Sequence, residues 1–186
     1  MERCRNVKVQ TALGTVAVAS YATHAVVHLA RAEPQDLLWA CHIAALLVGI
    51  GLLCASPTLN AIGLLWSCYG TPLWILDLAT GGEWIPTALL THLSGLVIGF
   101  IGVRRLGLPR HAAWKAMAAY GLLFLATRAL TPPDANVNLA FSVYQGWQRW
   151  FASYPLYLAM LLVLGMGTFL VAEHLLAPLA RRERAA

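Results

Sequence analysis

Apolar residues run along this chain in six long blocks, covering approximately residues 10–30, 37–55, 58–78, 84–103, 111–130 and 154–179, with proline, glycine or charge between them. Each block is close to the roughly 20 apolar residues that a helix needs to cross a bilayer, and none shows the strict alternation of a half-buried strand. The pattern predicts an all-α, polytopic membrane helix bundle of six transmembrane helices. The first block is the most polar, because Thr11, Thr15, Ser20, Thr23, His24 and His28 interrupt it, which predicts a helix packed inside the bundle. One long connection, 131–153, opens with Pro132-Pro133, which stops the preceding helix. Within it Leu139, Val143, Trp147 and Trp150 recur at helical spacing beside Phe151 and Tyr154, predicting a short helix in the membrane interface.

Composition strengthens this picture. The 186 residues are 59% hydrophobic and 11% charged, which leaves no stretch for a separate soluble domain, so residues 1–186 read as one transmembrane domain. The net charge of +5 sits in clusters beside the apolar blocks and not along one polar face, so nucleic acid is not an expected partner. Placing both termini inside puts Arg3, Arg5, Lys8, Arg104, Arg105, Arg110, Lys115, Arg181, Arg182 and Arg184 on the cytoplasmic side, and Arg31, Arg128 and Arg149 outside. That asymmetry predicts an N-in, C-in multi-pass protein of a bacterial cytoplasmic (inner) membrane. The basic start followed by an apolar stretch and Ala30-Arg31-Ala32 is also the pattern of a cleaved signal peptide. Two imidazoles in its apolar core favour a retained helix. The cysteines Cys4, Cys41, Cys54 and Cys68 have neither redox-pair nor haem-attachment spacing.

In this topology the polar groups of five helices fall in the extracytoplasmic leaflet: His24 and His28, Cys41 and His42, Asp77, Thr91 and His92, and Arg128. Ionisable groups inside a span face the bundle interior or a water-filled cavity and mark a functional site. His24 and His28 are spaced i, i+4 and share a helix face with Tyr21, a spacing more often that of hydrogen-bonded structural histidines than of metal or haem ligands, with catalysis without metal as the third reading. Asp77 and Arg128 are expected at similar depth, as an ion pair or a headgroup contact. Trp66, Tyr69 and Leu73 form one stripe of the third helix, whose backbone Gly70 and Pro72 loosen. Arg128, Asp77 and Tyr69 are the candidate substrate-binding residues. Glu173 and His174, in the opposite leaflet, are read as snorkelling or helix-packing residues.

Cys41-His42 in the second helix, Thr91-His92 in the fourth, Asn136-Val137-Asn138-Leu139 after the fifth and Tyr154-Pro155-Leu156-Tyr157 opening the sixth together resemble the bacterial YwaF-like integral membrane proteins. That family is similar in architecture to the transmembrane phospholipid acyltransferases and androgen-induced lipid hydrolases. The resemblance spans residues 24–160 as scattered positions. It implies lipid acyl transfer or hydrolysis with membrane lipid as partner and no required cofactor. The acyltransferase pattern has a cysteine two positions after the second-helix histidine, where this chain has Ala44.

For such chemistry the candidate residues are His92 as general base, Cys41 or Thr91 as nucleophile, and His42 or Asn138 orienting the base or stabilising an oxyanion. The competing expectation is a haem- or metal-binding membrane subunit of an electron-transfer or larger complex, with His24 and His28 as ligands. A non-catalytic assembly partner, joined to another membrane protein or a second copy, is the third.

Overall fold

The computed structural model describes residues 2–182, with side chains from residue 7 to residue 180. Arg184, and the side chains of Arg3, Cys4, Arg5, Arg181 and Arg182, lie outside the described residues. The chain is helical throughout: α1 (Glu2–Ala30), α2 (Ala40–Leu53), α3 (Pro57–Ala79), α4 (Pro86–Leu93), α5 (Gly99–Leu106), α6 (Ala112–Leu130) and α7 (Tyr154–Arg182). There is no strand among the described residues. A π-helical turn, Ser94–Ile98, joins α4 to α5, making one continuous membrane-length rod. Four helices are long and apolar enough to cross a membrane: Val7–Ala30, Pro57–Ala79, Pro86–Leu106 and Tyr154–Ala180; Ala40–Leu53 is apolar but shorter.

Small residues set the inner packing, because lipid supplies no hydrophobic drive between helices and close backbone approach must replace it. A methyl group on Gly63 of α3 would lie 2.5 Å from the Ala44 carbonyl of α2, and one on Gly49 of α2 would lie 2.6 Å from Val18 of α1. These contacts lock α1, α2 and α3 side by side. The main core, around Leu65, Trp66, Val103, Ala116 and Phe169, joins α3 to α5, α6 and α7. Leucines and valines such as Leu122, Leu130, Val163 and Val171 remain exposed on the outer faces of α6 and α7.

Pro72 lies inside α3 without ending it. Gly70, beside it, lets α3 meet α2: a methyl group there would lie 3.0 Å from Cys41 Cβ. Glu173 proves to be a capping residue rather than a snorkelling one. The backbone entering α6 is left-handed at His111, which offers no side-chain cap of its own. The Glu173 carboxylate of α7 accepts instead from the Ala112 and Ala113 amides, at 3.1 and 2.8 Å. Since capping residues stabilise by about 1 kcal/mol, and more where a carboxylate meets the helix dipole, Glu173→Ala is expected to cost about 1–2 kcal/mol. A detergent melting curve within error of the unsubstituted protein would remove this role.

The interfacial helix expected in 131–153 does not form. The segment has short 3-10 turns at Pro133–Ala135 and Val137–Leu139, then turns and bends to Tyr154. Asn136, Asn138 and Leu139 have positive φ, as does Gly146, and a right-handed helix has no place for such residues. Asn136 stabilises the alternative, its Oδ1 accepting from the Phe141 and Ser142 amides at 3.0 Å each. Trp147 still serves as an anchor, stacked on Phe151 and edge-on to Tyr157.

Candidate metal centre

His24 and His28 lie one turn apart on α1 and His42 in the first turn of α2, so the α1–α2 connection folds three imidazoles together. His24 and His28 are 1% and 3% exposed and His42 8%, in a region where burial without partners is costly. Their Nε2 atoms converge. His24 Nε2 is 3.0 Å from His42 Nε2 and 3.1 Å from His28 Nε2.

The opposite ring nitrogens are each turned toward oxygen. His42 Nδ1 is 2.9 Å from the Asp36 carbonyl, and His24 Nδ1 is 2.8 Å from Thr87 Oγ1 at the start of α4. His28 Nδ1 faces the carboxylates of Glu33 and Asp36 at 3.4 and 3.6 Å. A carbonyl only accepts, so the single proton of neutral His42 belongs on Nδ1. His28 Nδ1 lies near those carboxylates without a hydrogen bond, and with its proton on that side both rings present Nε2 lone pairs to His24. One N–H on His24 cannot point at two acceptors, so protons alone leave a buried nitrogen pair unsatisfied. A cation bound by all three lone pairs satisfies them together.

The spacing fits such an ion. Ligands at 2.0–2.1 Å around a tetrahedral zinc are about 3.3 Å apart, within a few tenths of an ångström of the His24–His42 and His24–His28 distances, and all three ligand atoms lie within 4.8 Å of one another. Oxygen holding the non-ligating nitrogen is the usual second shell of metal-bound histidine. Trans ligation of one haem iron by His24 and a neighbouring ring does not fit, because such nitrogens sit about 4 Å apart with a porphyrin between them and these are 3.0 and 3.1 Å apart.

The connection is itself braced. Trp39 Nε1 donates to Asp36 Oδ1 at 3.3 Å, and burial pushes the Asp36 carboxyl above its usual range. Arg31 at the end of α1 makes a paired contact with Glu83 before α4, its Nη1 donating to Oε1 at 2.8 Å. That guanidinium holds the Glu83 carboxyl below the usual carboxylate range.

A cavity of about 570 Å³ reaches the three histidines. Glu33 and Asp36 line it beside His28, and its other walls include Asp77, Trp66, Leu73, Leu161 and Phe169, so acidic and apolar walls meet in one space. No family model, curated protein or solved structure matches the chain.

The other expected site residues divide into two groups. Cys41 and His92 lie beside the triad: with His42 they offer ligand atoms within 4.8 Å of one another. His92 is stacked on Trp74, with centroids 4.2 Å apart, and its Nδ1 is 3.2 Å from Thr71 Oγ1. Thr91 points elsewhere, donating to the Ala88 carbonyl. Tyr69 and Asp77 line the cavity, Tyr69 donating to the Leu161 carbonyl at 3.1 Å.

Two expectations are corrected. No ion pair joins Asp77 to Arg128 among the described residues: the Tyr144 hydroxyl donates to Asp77, while Arg128 donates to the Ala140 carbonyl at 2.6 Å and lies over Phe141. Arg128 does not line the cavity, so it is no substrate-binding residue of that space. Asn138 has no group to spare for an oxyanion. Its Nδ2 donates to the Leu38 carbonyl and Thr127 Oγ1, and its Oδ1 accepts from the Ala40 amide at 2.8 Å, which secures the start of α2.

Thr87, Asp36 and Thr71 were not expected as site residues. Asp36 was visible only as a loop acid, and nothing in the sequence places Thr87 against a helix sixty residues earlier. Thr87→Val keeps the shape and removes the oxygen from His24 Nδ1. Since second-shell losses typically cost 10–100-fold in metal affinity, a drop in zinc affinity of that size is expected in a chelator competition titration. Unchanged affinity would mean that Thr87 does not orient His24.

Proposed function

We propose that this chain is an integral membrane metalloprotein in which His24, His28 and His42 hold one divalent transition-metal ion at the wall of a cavity that receives an amphiphilic, lipid-like substrate. The convergence of three Nε2 atoms, with an oxygen partner at the Nδ1 of His24 and of His42 and carboxylates near that of His28, carries this reading. Three neutral nitrogen ligands suit zinc and its neighbours. Three protein ligands with a fourth direction open to substrate is the pattern of catalytic zinc, which lowers the pKa of bound water to about 7. Hydrolysis of an ester-type bond in a bilayer amphiphile is the reaction this favours. The mixed acidic and apolar lining supports a neutral or cationic head and an apolar tail, and disfavours a free phosphate.

The topology belongs to the same proposal. Six spans, N-in and C-in, place the triad and the 131–153 connection on the extracytoplasmic side of a bacterial inner membrane, as the basic clusters favour.

A metal-free acyl mechanism has one contact in its favour, Thr71 Oγ1 beside His92 Nδ1 as nucleophile and base. Yet neither residue lines the cavity, and His92 Nε2 has no hydrogen-bond partner. The metal reading is preferred on that ground.

Metal analysis of the detergent-purified protein tests it, with turnover of ester-bearing amphiphiles measured before and after chelation. One equivalent of metal, and turnover lost on chelation and restored by zinc, is expected. Affinity should fall as the pH is lowered, because ligating imidazoles must be deprotonated and metal competes with protons for them. Metal-free protein that turns over esters in chelator would transfer the assignment to Thr71 and His92.

A further inference from the structure

The triad is not the end of the ligand chain. His42 belongs to two sets at once: with His24 and His28 on one side, and with Cys41 and His92 on the other. His92 is 1% exposed, its Nδ1 is occupied by Thr71 Oγ1, and its Nε2 has no hydrogen-bond partner. Trp74 fixes the ring by stacking, and Gly70 gives α3 the close approach that presses against Cys41. An unpartnered buried nitrogen beside a thiol and a third imidazole is an expensive arrangement that a soft cation would satisfy.

We infer that Cys41, His42 and His92 form a second metal position, softer than the triad, which receives the ion from it by exchange of His42. Because His42 Nδ1 is held by the Asp36 carbonyl, only its Nε2 is available, and the two positions are alternative stations for one ion. Moving inward, the ion leaves His24 and His28, keeps His42, and gains Cys41 sulfur and His92 nitrogen. Ligation replaces the S–H bond of Cys41 by a metal–sulfur bond, and the proton leaves through the cavity that Cys41 lines. Nothing is oxidised or reduced in this step. A third overlapping set, His28 with Glu33 and Asp36, extends the series toward the acidic wall. Ligand character then runs from carboxylate through imidazole to thiolate, an order that favours oxygen-seeking ions at entry and zinc- or copper(I)-like ions within.

This inference rests on the triad holding metal, and cobalt(II) separates the two claims. Cobalt(II) is added at one equivalent to the full-length protein in detergent, and to its Cys41→Ser, His92→Gln and His24→Ala variants. The expected result is visible ligand-field absorption in the unsubstituted protein together with a near-ultraviolet thiolate-to-cobalt band. Cys41→Ser should lose the thiolate band and keep stoichiometric ligand-field absorption from the triad, and His92→Gln should lower the thiolate band. His24→Ala should keep the thiolate band, because the second position does not use that ring. Absence of the thiolate band from the unsubstituted protein, or its survival in Cys41→Ser, would overturn the second position. Loss of all stoichiometric cobalt from Cys41→Ser would instead remove the triad.

Discussion

Alanine at His24, placed in a Cys41→Ser background so that only the triad is read, is expected to weaken zinc binding by about a hundred- to a thousandfold. A structural zinc site delivers roughly 10–16 kcal/mol over four ligands, so one ligand is worth about 2.5–4 kcal/mol. His24 is the residue to choose because its Nε2 is the common neighbour of the other two, 3.0 Å from His42 and 3.1 Å from His28. Removing it leaves two nitrogens on different helices. His174→Ala is the matched control, since that imidazole lies on α7 near Glu173, at the opposite end of the bundle. Affinity is read by competition against a chromophoric chelator, with thermal melting confirming that the variant is folded. Equal affinities for the His24 and His174 variants would sink the triad.

The second large effect belongs to packing. Gly63→Val is expected to destabilise the bundle by about 3 kcal/mol, the upper end for forced overpacking. Even the first added carbon would lie 2.5 Å from the Ala44 carbonyl and 2.8 Å from Val48. A carbonyl oxygen in a helix cannot turn aside, so α2 and α3 must separate. At roughly 2–4 °C per kcal/mol for a chain of this size, the melting midpoint should fall by about 6–12 °C. Gly121→Ala is the comparison: nothing lies within 4 Å of the carbon it adds, and alanine is the better helix former. A Gly63 variant that melts with the Gly121 variant would mean that α2 and α3 are not held by this contact. Because α2 carries His42 and α3 carries Trp74 and Thr71, their separation should also weaken metal binding.

The helices were legible in the sequence because long apolar runs declare themselves: the six blocks recur as the helices α1, α2, α3, the α4–α5 rod, α6 and α7, and four of these are long and apolar enough to cross a membrane. The clustering of His24, His28, His42 and His92 was legible as shared depth. Their relative facing was not, since rotation of one helix against another depends on contacts such as Gly49 against Val18, which carry no periodic signal. The 131–153 connection misled for a related reason. Its aromatic spacing matches a helix, but left-handed residues at Asn136 and Asn138 decide the backbone. Asparagine there is a known tolerance of positive φ, not a requirement for it. Asn138 looked catalytic because buried amides often are; its three hydrogen bonds emerge only when Leu38, Ala40 and Thr127 are brought around it from distant parts of the chain.

All three triad nitrogens come from His24, His28 and His42, on α1 and α2, which are made before α3 to α7. Domains and hairpins emerge N-terminal first during synthesis, so the ligands of the triad are complete while α3 to α7 are still being made. Thr87, by contrast, arrives with α4 and can only tighten a site whose ligands already exist. Biogenesis thus offers a moment at which the α1–α2 hairpin is in the bilayer and open on the side that α3 and α4 later close. Cells starved of the metal during synthesis, rather than afterwards, are where misassembly of this protein should appear.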